Sequence, residues 1–92
     1  MNADDILATA ANLVGGSRHE AHGDKHECFG MIAELWSAYI GIRLSPEDVA
    51  CLMALLKVAR IGSGKHNPDN WIDLAGYAAC GGEIAERAND PQ

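Results

Sequence analysis

The chain has 92 residues, a formal net charge of −6 at pH 7 and 48% hydrophobic residues, with ten Gly and few aromatic side chains. A chain this short forms at most one domain and buries a smaller fraction of its surface than a larger protein does. We therefore expect a single domain over residues 1–92, with a frayed tail at 88–92. We also expect homo-oligomerisation to complete the core.

The charge and the cysteines argue against several classes of protein. The chain has thirteen acidic residues and only seven Lys and Arg, which are dispersed along it. This balance disfavours nucleic acid as a partner but allows a small anionic ligand. Cys28, Cys51 and Cys80 form no CxxC pair, so a reducing compartment is favoured over a disulfide framework or a cysteine zinc site. No window approaches ~18 apolar residues. We expect a cytosolic protein with no membrane partner.

The first helix is predicted to begin after Asn2, a good N-cap, and to carry apolar residues at helical spacing from Ile6 onwards. Gly15 and Gly16 are expected to end it in the left-handed conformation that is common after helix C-termini.

Residues 17–27 are the most polar and histidine-rich part of the chain. Imidazoles and carboxylates recur here at spacings that can converge on one metal ion, and they are His19, Glu20, His22, Asp24, His26 and Glu27. The alternative is a solvated helix start capped by Asp24, with Glu27 in the capping-box position. We favour capping over structural zinc because no second ligand cluster is present, and we keep His22 and Asp24 as candidate ligand contacts.

A second helix is predicted over residues 28–40, where apolar residues follow the amphipathic spacing. Trp36 and Tyr39 lie on that stripe and are expected in the core rather than stacked on a base. Gly41 is expected to end this helix.

The third helix has a strong start, because Ser45 can cap it, Pro46 suits its first position and Asp48 completes a capping box. The stretch from residue 49 to 61 is apolar nearly all round, which predicts the central and most buried helix. Lys57 and Arg60 are its late polar residues. They either pair with acids near the helix C-terminus or bind an anionic ligand.

The turn after this helix is rich in glycine and carries Lys65 and His66 before Asn67, the predicted cap of the last helix. Glycines beside a helix N-terminus expose N–H groups that suit a phosphate. GSGKHN lacks the spacing of a Walker loop and follows no strand. Trp71, in the first turn of the last helix, either covers a base or anchors the helix.

The last helix is predicted from Asp69 to about Ala88, with Trp71 on one face and Asp73 on another. Small residues between Ala75 and Gly82 predict a close helix contact, either within the chain or between subunits. The expected fold is therefore all-α, a compact bundle of about four helices. The candidate ligand-binding residues are His22, Lys57, Arg60, Lys65, His66, Trp71 and Asp73.

The segments HGDKHE, IAELWSAYIG and the stretch from SPEDV to GGEIA together resemble a family of small phage and prophage proteins of unassigned function. The resemblance covers about residues 15–86 and implies phage origin and an all-helical domain. Cys28 and Phe29 stand where that family is expected to have a polar Asn-His pair, which weakens any ligand role carried over to this position.

The chain also resembles, more loosely, the all-helical nucleoside triphosphate pyrophosphohydrolases of the MazG type. That resemblance implies Mg²⁺ bound by paired carboxylates one helical turn apart. The nearest equivalents are Asp24 with Glu27 and Asn70 with Asp73, so one of four acids is replaced by an amide.

Two functions therefore stand. The first is a phage-encoded helical oligomer, without a cofactor, that binds a small nucleotide such as a cyclic or ADP-ribose-type immune signal and withholds it from host defence. The second is a Mg²⁺-dependent pyrophosphohydrolase with Asp24, Glu27 and Asp73 as metal ligands. We favour binding because the set of acids is incomplete; an adaptor without a small ligand is a third alternative.

Overall fold

The computed structural model describes residues 1–17 and 23–90, and all the regular secondary structure within these residues is helical. Four α-helices follow one another in these ranges: α1 (Ala3–Asn12), α2 (Lys25–Ile40), α3 (Pro46–Ser63) and α4 (Pro68–Ala88). A turn of π-helix at Leu13–Ser17 continues α1. The expected all-α architecture of about four helices is confirmed.

Local side-chain caps fix where three of the helices begin. The side chains of Asn2 and Ser45 each accept a hydrogen bond from a backbone N–H three residues on. The carboxylates of Asp5 and Asp48 in turn accept a hydrogen bond from the backbone N–H of Asn2 and Ser45. Asn67 accepts from the N–H of Asp69 at the start of α4. These starts agree with the predictions because a cap needs only residues within one turn.

The cap of α2 is simpler than predicted. Asp24 accepts the N–H of His26 at 3.0 Å. Glu27 is exposed, and among the described residues it makes no return bond, so the expected capping box is not formed.

The glycines end the helices less uniformly than the sequence predicts. Gly41 adopts the left-handed conformation after α2, with φ of 82°, as expected. Gly15 and Gly16 do not, because the backbone there widens into a right-handed π-turn instead of reversing. Gly62 is part of α3, so the predicted glycine-rich turn is shorter and begins at Gly64.

Helices α3 and α4 form the central antiparallel pair, with α1 packed on α4 and α2 packed on α3. The closest approach lies at Gly81, where an added Cβ would stand 3.0 Å from the Cβ of Ala50. A Cβ on Gly76 would meet Val14 at 3.5 Å. These two small residues of α4 therefore make their close contacts within the chain. The buried core is Ala10, Ala33, Val49, Ala50, Ile72, Cys80 and Ile84.

Two expectations about burial are wrong: that α3 is the most buried helix, and that Trp36 and Tyr39 lie in the core. In α3 the large apolar residues Leu52, Leu55 and Val58 are 38% to 62% exposed, whereas α4 contributes three of the buried residues. On α2, Tyr39 is 93% exposed and Trp36 only partly buried. Each helix buries one side against its neighbours, and within the described part of the chain no second layer covers the other side. No helix in the described ranges is long and apolar enough to cross a membrane.

Candidate functional site

A cavity of about 250 Å³ lies between the four helices and the π-turn. Its walls are largely apolar. Among the described residues, Lys25 and Asp73 are the charged side chains that line it. The full lining is Ala10, Leu13, Val14, Gly23, Lys25, Cys28, Phe29, Ile32, Met53, Ile72, Asp73, Gly76, Tyr77 and Cys80.

Asp73 is held at the cavity wall by an ion pair with Lys57. The Lys57 Nζ lies 2.9 Å from the Asp73 Oδ2, and the two side chains are only 15% and 16% exposed. A pair at this depth is less screened by water than a surface pair, and each charge compensates the other. Lys57 therefore lies on the inner side of α3 and joins it to α4.

An aromatic pair lines another part of the cavity. The rings of Phe29 on α2 and Tyr77 on α4 have centroids 6.5 Å apart and planes inclined by 41°. Tyr77 follows Asp73 by four residues, so both side chains lie on the same face of α4. An aromatic wall, a phenol and a carboxylate thus border one cavity.

The N-terminus of α2 is tied to α4 beside this cavity. The Lys25 Nζ and the His26 Nε2 both contact the Glu83 Oε2, at 3.0 and 2.8 Å. The hydrogen bond from Lys25, and next the one from His26, lower the pKa of the Glu83 carboxyl below its ordinary value. These contacts with Glu83 hold the start of α2 in place, and Lys25 and Gly23 line the cavity at this positive end of the helix.

The predicted cations separate into two groups. Lys57 does not line the cavity itself but forms an ion pair with Asp73, which does. Arg60, Lys65 and His66 are exposed at the end of α3 and in the turn that follows, where their side chains make no ion pair with other described residues. His22 lies outside the described residues.

Trp71 lies away from the cavity. It is 46% exposed and borders a shallow apolar groove between α1 and α4. Trp71 and Asp73 are two residues apart on a helix, which places them on different faces, as the sequence predicts. The groove is lined by Ala3, Ile6, Leu7, Trp71, Leu74, Ala75 and Ala78.

The carboxylates proposed for magnesium do not gather among the described residues. Asp24 caps α2, Glu27 is exposed, and Asp73 is paired with Lys57. Across residues 1–17 and 23–90, no group of three His, Cys, Asp or Glu side chains is placed to hold a metal ion. His19, Glu20 and His22 lie outside these ranges.

Sequence reasoning missed Lys25, Phe29 and Tyr77 as cavity residues. One signal was present for Tyr77, which stands one helical turn after Asp73. Nothing in the local sequence links Phe29 to Tyr77, because 48 residues separate them along the chain.

The family described as "Domain of unknown function (DUF6378)" matches residues 5–85. The chain belongs to the DUF6378 family. Relatives include the "Gene 55 protein" of Mycobacterium phage L5, 45% identical over 74 residues, and that of Mycobacterium phage D29, 42% identical over 85 residues. The alignments cover 79% and 91% of this chain but 47% and 56% of the two phage proteins. The chain thus spans about half their length.

The expected membership of a phage protein family of unassigned function is therefore confirmed. No solved structure matches the chain. The likeness of this DUF6378 chain to the MazG-type enzymes stays a prediction.

Proposed function

We propose that this DUF6378 protein binds a small nucleotide in the cavity between its helices and withholds it, unchanged, from host defence proteins. The observation that carries the proposal is the cavity itself, whose lining combines an aromatic pair, Phe29 and Tyr77, with the carboxylate of Asp73, which Lys57 pairs from outside the lining. Apolar walls with a few convergent polar groups are typical of small-molecule sites.

The size of the cavity favours the base end of the nucleotide. Small-molecule pockets span about 300 to 1,000 Å³, and the 250 Å³ here falls just below that range. A base, or a base with part of its ribose, matches this space, and the phosphates then extend outward. The ring of Tyr77 offers a surface for stacking.

The charged groups suit the rest of such a ligand. The Asp73 carboxylate accepts hydrogen bonds, so it can receive one from a ribose hydroxyl or a base amino group. Lys25 and the N-terminus of α2 border the cavity, and a helix N-terminus favours an anion such as phosphate. Arg60 and Lys65 are exposed and available to phosphates that reach the end of α3.

The phage relatives are consistent with a role during infection, when a nucleotide immune signal is present to be withheld. Binding without turnover also agrees with Asp73 being paired to Lys57. A hydrolase needs groups that stabilise charge developing on phosphorus.

The test is recovery of the ligand. Cyclic dinucleotides and cyclic ADP-ribose are each incubated with excess protein and Mg²⁺, the free fraction is measured, and the protein is then denatured by heat. Sequestration predicts depletion followed by return of the intact compound. Recovery of a cleaved product, lost with EDTA or in Asp73→Ala, establishes a hydrolase instead.

A matched pair of variants locates the site. Tyr77→Ala removes the cavity ring and should abolish depletion, whereas Tyr39→Ala removes a tyrosine that is 93% exposed and should not. Equal depletion by both variants would move the ligand away from this cavity.

A further inference from the structure

The first half of α2 lies along the cavity. Lys25, Cys28, Phe29 and Ile32 follow the helical spacing i, i+3, i+4 and i+7, and all four line the cavity, so they form one stripe of the helix. A side chain that borders a cavity lacks the contacts that a packed core would supply on that side. The start of α2 therefore gains less from packing than a core helix does.

The second half of α2 is anchored to α3. Ala33 is only 3% exposed. The hydroxyl of Ser37 accepts the backbone N–H of Leu44 at 2.8 Å, and Leu44 directly precedes Ser45, the cap of α3. Gly41 ends α2 by donating its N–H to the carbonyl of Ser37. Burial and backbone hydrogen bonds thus fix this half of the helix.

The first half of α2 is joined to α4 by an aromatic contact and a polar one among the described residues. The rings of Phe29 and Tyr77 meet with their centroids 6.5 Å apart. Nearer the helix start, one oxygen of Glu83 contacts both Lys25 and His26. The side chain of Glu83 is 53% exposed, so water and salt screen these polar contacts and each contributes little to stability.

Glycines flank the segment between these contacts. Gly23 precedes α2 with a φ of 75°, and Gly30 lies inside the helix, directly after Phe29. A Cβ on Gly30 would meet nothing within 4 Å, so close packing does not require a glycine there. Glycine weakens a helix interior because it loses more conformational freedom on folding than other residues do. The helix can therefore bend at Gly30 at low cost.

We propose that residues 24–29 form a lid over the cavity, which opens when the contacts with Glu83 break and α2 bends at Gly30. Opening parts the aromatic pair and admits solvent or a ligand, while the anchored half of α2 stays in place. Segments that open locally are those with the weakest packing. As a control on entry to the nucleotide site the lid rests on the proposed function, but its opening is measured without any nucleotide.

Cys80 on α4 reports the opening. It is 9% exposed and lines the cavity, so a reagent must enter the cavity to reach it. The chain has three cysteines, and Cys28→Ser with Cys51→Ser leaves Cys80 as the one thiol. N-ethylmaleimide, which is small and uncharged, adds to this thiol, and mass spectrometry follows the labelled fraction over time. All variants below are made in this background, with folding checked by circular dichroism.

The first test removes the charge of Glu83. Glu83→Gln keeps the size of the side chain and should raise the labelling rate by roughly two- to tenfold, because two exposed charged contacts are weakened. The matched control is Glu86→Gln on the same helix, since Glu86 is exposed and makes no ion pair with other described residues. An unchanged rate in Glu83→Gln, or an equal rise in Glu86→Gln, would overturn the proposal.

The second test stiffens the hinge. Gly30→Ala should slow labelling by up to roughly fivefold, because alanine favours the helical state of α2. Gly82→Ala is the control, since an added Cβ also meets nothing within 4 Å there and the change strengthens α4 without touching the lid. Labelling through global unfolding would slow equally in both variants, and that result contradicts a lid.

The third test uses salt, to which packing alone responds weakly. Raising NaCl from about 0.1 M to about 1 M shortens the Debye length from about 10 Å to about 3 Å. Labelling should become faster in the chain that keeps Glu83, and should change less in Glu83→Gln. Equal salt dependence in the two proteins would show that the charges at Glu83 do not hold the lid closed.

Discussion

Lys57 Nζ and Asp73 Oδ2 lie 2.9 Å apart, and this contact joins α3 to α4 across 16 positions of the chain. Both residues were expected to touch a ligand, and the structure shows that each also supports the other. A change at either residue alters the wall of the cavity and its charge, so under the proposed function the pair links stability to binding.

The ion pair gives the first prediction. Asp73→Asn leaves the largely buried Lys57 without its compensating charge and should lower the free energy of unfolding by about 1 to 3 kcal/mol. Urea denaturation measures this. Lys57→Met combined with Asp73→Asn should cost less than the sum of the single variants. Strict additivity would show that the two charges do not interact.

The second prediction compares two glycines of α4. Gly76→Ala should stabilise the fold by up to ~1 kcal/mol, because alanine favours helix and its Cβ makes an ordinary 3.5 Å contact with Val14. Gly81→Ala gains the same helix preference but places its Cβ 3.0 Å from the buried Ala50 Cβ, which cannot rotate away.

Gly81→Ala should therefore be destabilising, and thermal unfolding of the two variants should differ in sign. Equal stabilisation by both would mean that α3 and α4 move apart at no cost.

The third prediction concerns the cations. If the ligand is an anionic nucleotide, Arg60→Ala and Lys65→Ala should each weaken binding by roughly tenfold, because each charge-assisted hydrogen bond is worth ~1.5 to 3 kcal/mol. Both are exposed, so stability should not change. Lys57→Ala should reduce both affinity and stability. Calorimetry and thermal unfolding separate these outcomes, and unchanged affinity in all three variants would move the phosphates elsewhere.

The fourth prediction is a pH dependence that comes from Glu83. Its pKa is lowered in the folded protein, so the contact with Lys25 and His26 stabilises the fold above the ordinary value of 4.5. That contribution should be lost as the pH falls from 4.5 through the lowered value. Glu83→Gln should flatten the fall in melting temperature over this acid range, whereas the exposed Glu86→Gln should leave it as in the wild type.

The helices could be predicted from the sequence because their signals are local. Asn2, Ser45 and Asn67 cap helices through bonds to residues two or three positions away, and Gly41 ends α2 by its own backbone. The same logic fails at Gly15, where π-helical and left-handed continuations are both open to glycine.

The site could be predicted only in part. Pairing of Lys57 with an acid was one of the two alternatives that the sequence left open, and the structure shows this pair. That the acid is Asp73, and that Phe29 and Tyr77 line the same cavity, was not predicted. Periodicity gives the apolar side of a helix without saying what covers it, which is why Tyr39 was expected in the core.

By itself, the sequence determined four helices, their starts and the acidic, apolar character of the chain, because capping and amphipathic spacing act within a few residues. Tertiary structure decided which faces are buried, that Gly81 meets Ala50, and that α2 and α4 enclose a cavity with Asp73 on its wall. Those features depend on contacts between residues far apart in the chain. Which helices meet, and at what distance, follows from how all four pack at once.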